Sequence, residues 1–65
     1  MKEYRCGMNM HYKVSKIEGL WYVVYRVNGY APWHTSELTP EGELTAAAAQ
    51  RKLDYCAEMR KFHIL

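Results

Sequence analysis

Residues 10–35 read MHYKVSKIEGLWYVVYRVNGYAPWHT, and the fold turns on how this stretch divides into strands. Asn28-Gly29 lies between two strand-like runs. A two-residue type I′ turn needs positive φ at both central positions, and Asn-Gly supplies it. That turn predicts a hairpin with Val27 opposite Tyr30, Arg26 opposite Ala31, Tyr25 opposite Pro32 and Val24 opposite Trp33. Pro32 has no N–H for a ladder, which places the third strand at a sheet edge. Upstream, Glu18-Gly19 forms a second tight turn and sets Ile17 opposite Leu20, Val14 opposite Val23 and Tyr12 opposite Tyr25.

This register separates two faces. Met10, Tyr12, Val14, Lys16, Trp21, Val23, Tyr25, Val27, Tyr30, Pro32 and His34 share one face, which is apolar almost throughout and forms the expected core side. His11, Lys13, Ser15, Tyr22, Val24, Arg26 and Trp33 share the other, where cations and aromatic rings are interleaved. The run WYVVYRV is apolar at six of seven positions, so its second face is either covered by protein or open to a partner.

Downstream, Thr39-Pro40-Glu41 combines an N-cap candidate, a first-turn proline and a first-turn acid. A helix is predicted over about 40–62, with Gly42 delaying its regular part to Glu43 or Thr45. Leu44, Ala48, Ala49, Leu53, Tyr55, Cys56, Met59 and Phe62 fall on one broad arc, opposite Gln50, Arg51, Asp54, Glu58 and Lys61. The expected fold class is α+β: a three-stranded antiparallel β-meander, strands 10–17, 20–27 and 30–35, packed on one long C-terminal α-helix. One helix covers one face and leaves Tyr22, Val24 and Trp33 on the other.

The 65 residues make a single domain, 1–65. A chain of this size buries only about 60% of the surface it exposes when unfolded. Nine Lys and Arg against seven Asp and Glu leave a net charge of +2, which by itself argues for neither nucleic acid nor an anionic membrane. Glu37, Glu41 and Glu43 concentrate acid in residues 36–45, which hold no base. No run approaches the roughly 18 apolar residues of a membrane span, and the first ten residues lack the apolar stretch of a signal peptide. A cytoplasmic location follows as the expectation, with Cys6 and Cys56 reduced.

Cys6, His11, His34, Cys56 and His63 match none of the usual zinc spacings, which set ligand pairs two to five residues apart around a turn. Cys56 and His63 have no third group to orient a nucleophile, and the acids at 37, 41 and 43 read as a solvated loop. The chain is expected to be no enzyme, to hold no cofactor and to take no small-molecule substrate. The constellation that remains is Lys13, Tyr22, Val24, Arg26 and Trp33 on one sheet face. Tyr, Trp and Arg are the anchors of protein interfaces, while cations with stacking rings also serve nucleic acid.

The order GLWYVVYRVNG, a loop ending in His34-Thr35, then an Ala-rich helix resembles the arm-type DNA-binding domain of phage integrases and its AP2-like relatives. The resemblance implies a sheet laid into the DNA major groove, with Lys13, Tyr22, Arg26 and Trp33 as groove-facing positions. Family members carry several Lys and Arg after the turn, where this chain has YAPWHTSELTPEGE. In its small size, mixed surface charge and exposed aromatics the chain also resembles the anti-CRISPR proteins of phages and mobile elements. That resemblance implies an inhibitor binding a bacterial CRISPR effector in the host cytoplasm. Its aromatic face would act as the anchor, and Glu37, Glu41 and Glu43 would compete for a basic DNA-binding groove. This is the leading expectation, and a DNA-binding module is the alternative.

Overall fold

A computed structural model describes residues 1–64. Its elements in chain order are β1 (Tyr4–Cys6), β2 (Met10–Ile17), β3 (Leu20–Val27), β4 (His34–Thr35), α1 (Ala46–Arg60) and β5 (His63–Ile64). The fold is α+β, with one antiparallel sheet of five strands in the order β4-β3-β2-β1-β5 and α1 packed on one face. The meander expected from the sequence is thus its centre, and β1 and β5 extend it. β1 is three residues long and β5 two, too short for alternation to reveal.

The β2–β3 hairpin has the predicted register, from Ile17↔Leu20 to Met10↔Val27. Glu18 and Gly19 both have positive φ (50° and 88°), the geometry of a type I′ turn. The second turn departs from expectation. Asn28 has φ 65° but Gly29 is not in the left-handed region, so the two residues do not close a hairpin. Instead the Asn28 side chain accepts hydrogen bonds from the N–H groups of Tyr30 (2.8 Å) and Ala31 (3.2 Å), and the Asn28 N–H donates to the Asn9 carbonyl (2.7 Å). This local side-chain to backbone bonding opens a loop over 28–33. Pairing resumes only at Tyr25↔His34 and Val24↔Thr35, so the strand expected over 30–35 is confined to 34–35. The slip is an even one of two residues, which keeps Trp33 on its predicted face. Tyr30, expected on the core face, is instead 97% exposed.

The edge of β3 beyond β4 is closed by the segment expected to begin the helix. The Ser36 N–H donates to the Val23 carbonyl (2.8 Å), and the fully buried Thr39 hydroxyl accepts from the Val23 N–H (2.9 Å). Trp21 and Glu43 exchange two backbone hydrogen bonds of 2.8 and 2.7 Å. Thr39 therefore serves a strand's N–H and does not cap a helix. Helix α1 begins after Thr45, whose hydroxyl accepts from the Ala48 N–H (3.1 Å), and ends at a left-handed Lys61.

Helix α1 meets the sheet through Ala49, Leu53 and Ala57, spaced by four. They pack with Tyr4, Val14 and Val23, flanked by Tyr12, Trp21, Leu38 and Phe62. The alanines bring helix and sheet close, and the contact narrows to one strip. Tyr55 and Met59, placed on the apolar arc by periodicity, are therefore exposed, and Leu44, expected on the same arc, lies before the helix and is exposed as well. Tyr4 ties β1 to the helix by donating its hydroxyl to Asp54 (2.6 Å), which also accepts from Gln50 (2.9 Å). Burial, then the bond to Asp54 and its charge, push the Tyr4 phenol up to about 12.

Candidate partner-binding face

The sheet face turned away from α1 is arranged by register. Arg5 pairs with His11 and His11 with Arg26, giving one row across β1, β2 and β3. Lys13, Val24 and Thr35 form the neighbouring row. Trp33 arrives from the 28–33 loop and joins the two. Its ring lies 4.3 Å from the Lys13 ammonium, 4.5 Å from the Arg26 guanidinium carbon and 5.1 Å, edge to face, from the His11 ring. Each cation over an indole contributes about 0.5–1 kcal/mol where the pair is exposed. Val24, flanked by Lys13 and Arg26 on this face, is only 2% exposed although no helix lies over it. Trp33 and its two cations lie on this same face, beside the row that holds Val24.

Four of the expected site residues, Lys13, Val24, Arg26 and Trp33, come together here. Tyr22 belongs to a separate contact at the other end of the face. A Cβ on Gly42 would stand 2.8 Å from the Tyr22 ring and 2.9 Å from the Leu20 Cβ, so the backbone at Gly42, with φ 78°, presses against that ring. The three acids do not act together either. Glu43 is half-buried and receives the Lys52 ammonium at 2.8 Å, which commits it to the helix side. Glu41 is exposed, and Glu37 is exposed at the rim of a concavity of about 510 Å³ shared with Tyr12, Tyr25, Cys56 and Arg60. In that concavity the Tyr12 phenol is raised above its ordinary value by burial, then by the nearby Cys6 and Cys56.

Several members of the face were not legible as such. Arg5 enters through β1, and its sequence signal was only one cation between Tyr4 and Cys6. His11 Nε2 is hydrogen-bonded to the Glu3 carboxylate at 2.7 Å. Met8 and Tyr30 are 91% and 97% exposed, the two most exposed large apolar side chains among the described residues. They stand on the adjoining turns that the Asn28–Asn9 hydrogen bond holds together. Among the described residues, no three of His, Cys, Asp or Glu are grouped to hold a metal ion, and Cys6 and Cys56 are free thiols. No described helix is long and apolar enough to cross a membrane.

Fold and face together define an α+β chain with one sheet face packed on a helix and the other carrying cations and aromatic side chains. Comparison with protein families, curated proteins and solved structures finds no match to this chain.

Proposed function

We propose that this chain is a non-enzymatic binding protein of phage or mobile-element type that inhibits a bacterial CRISPR effector from within the host cytoplasm. It blocks a protein or DNA-binding surface with the sheet face turned away from α1. One observation carries the reading: Trp33, Lys13 and Arg26 are locked against one another while Met8 and Tyr30 project freely at the end of the same sheet. Rigid Trp and Arg with protruding Tyr and Met is the composition of an interface anchor, and preorganisation lowers the entropy lost on docking. Glu37 and Glu41 remain available to a basic partner groove at the β4 edge, whereas Glu43 is withdrawn from that role by Lys52.

The test is phage plaquing on cells with an active CRISPR system. Expression of the chain is expected to restore plaquing, and Arg26→Glu with Tyr30→Ala to remove the effect. Restriction unchanged by the wild-type chain contradicts the reading.

A second reading, a small DNA-binding module on the same face, draws support from the β1 register, which adds Arg5 beside His11 and Arg26. The face then holds three permanent cations, Arg5, Lys13 and Arg26. A duplex binder with about three phosphate contacts loses affinity with salt at a logarithmic slope of roughly −3. A gel shift at low salt that fades on this slope supports it, and no shift at low salt removes it.

A further inference from the structure

We propose that the concavity at the end of this face, between the β1–β2 turn and Asn28-Gly29, binds a phosphate group. It has a volume of about 280 Å³; Arg5, Asn9, His11, Arg26 and Asn28 supply its polar lining, and Met8 and Met10 an apolar part. Arg5, His11 and Arg26 reach its lining from three successive strands. Two permanent cations, Arg5 and Arg26, flank His11 in this row, and clustered positive charge favours an anion. Glu3 is the acid that meets the row, and it is engaged with His11. Among the described residues no acid pairs with Arg5 or Arg26.

Arg26 indicates the type of ligand. Its guanidinium carbon sits over the Trp33 ring, and its Nε is buried without a hydrogen-bond partner. Stacking occupies the flat face of a guanidinium and leaves the in-plane N–H groups at its far end to donate. With the Nε closed off, those terminal nitrogens hold the donors still open to a ligand. A planar fork of N–H donors held by stacking matches the oxygens of a phosphate. A carboxylate presents two oxygens in one plane, enough for a single guanidinium. A tetrahedral phosphate can offer separate oxygens to Arg5 and Arg26, and Asn9 and Asn28 add neutral amides at the rim. The phosphate is either a discrete one, inorganic or on a mononucleotide, or a phosphodiester within a nucleic-acid strand.

The inference stands apart from the inhibitor reading, which phage plaquing tests. The experiment is NMR titration of the ¹⁵N-labelled full chain, following arginine Nε–H and histidine ring signals at constant ionic strength. The probes are inorganic phosphate, adenosine monophosphate and a ten-residue oligothymidylate. Displacement of the Arg5 and Arg26 signals is expected, with affinity lowered about tenfold or more in Arg5→Gln, the loss of one charge-assisted hydrogen-bonding group. Arg5 is exposed and outside the Trp33 clamp, so this variant leaves the fold intact. Response to phosphate and mononucleotide identifies the discrete ligand, and response to the oligothymidylate alone identifies the strand backbone. No displacement by any probe, or equal displacement in Arg5→Gln, overturns the proposal.

Discussion

Val23 and Val24 are neighbours in β3 and nearly equally shut off from water, at 0% and 2% exposure, yet they are covered by unlike means. Val23 lies in the cluster under Ala49, Leu53 and Ala57, within regular secondary structure. Val24 points to the other face, where a loop tryptophan is held between Lys13, its cross-strand partner, and Arg26. The helix side is dry and gains its stability from apolar packing. The open side is built from amphipathic side chains, whose stems cover apolar surface while their charges stay at the water boundary. A surface of the second kind can keep its shape alone and still offer cations and ring edges to a partner.

The sharpest contrast comes from Leu53→Ala. Leu53 is fully buried at the centre of the helix contact, and its truncation is expected to cost about 3–5 kcal/mol in denaturant unfolding, since α1 cannot collapse far into the gap. A loss near 1 kcal/mol in that measurement would mean that the helix is loosely docked and the two faces are alike. Gly42→Ala comes next. The new methyl meets the Tyr22 ring at 2.8 Å and the residue must hold φ 78°, so a loss of about 1–3 kcal/mol is expected. An unchanged melting temperature would show that the 40–43 turn is free of the sheet.

The third effect is smaller and depends on pH. Tyr4 is raised to about 12 in the folded chain, against an ordinary value of about 10 for the unfolded one. Its contribution is therefore complete below pH 10 and is lost as the pH rises towards 12, because the unfolded chain releases the phenolic proton first. The melting temperature is expected to fall across that window and to fall less in Tyr4→Phe, measured by circular dichroism. Equal slopes in the two proteins would detach Tyr4 from the coupling of β1 to α1.

The same contrast explains what the sequence made legible. Period-two alternation from Met10 to Val27 and the Glu18-Gly19 turn were sufficient for the central hairpin, because local turn chemistry and facial pattern agree there. At Asn28-Gly29 they conflict. The turn signal was followed by Pro32, and the Asn28 side chain found partners in its own loop at Tyr30 and Ala31. Thr39-Pro40-Glu41 carried every mark of a helix start, yet the edge of β3 needed an acceptor for the Val23 N–H and Thr39 supplied it. β5 depends on pairing with β1 between residues about 60 positions apart, which no local pattern records, and β1, although it pairs locally with β2, is only three residues long. The candidate face was half visible. Parity placed Lys13, Val24, Arg26 and Trp33 together, but Arg5 arrives on a three-residue strand by pairing with His11, and a register slip in the loop exposed Tyr30.

The central claim is that Trp33 is the lid of a small second cluster, neither a free anchor nor a core residue. Denaturant unfolding of Trp33→Ala tests it most directly. Two cation–ring contacts and the uncovering of Val24 predict a loss of about 1–2 kcal/mol with the fold retained. A loss below about 0.5 kcal/mol, the range of an ordinary surface substitution, would contradict the account, as would one of about 3 kcal/mol or more, the range of a core aromatic.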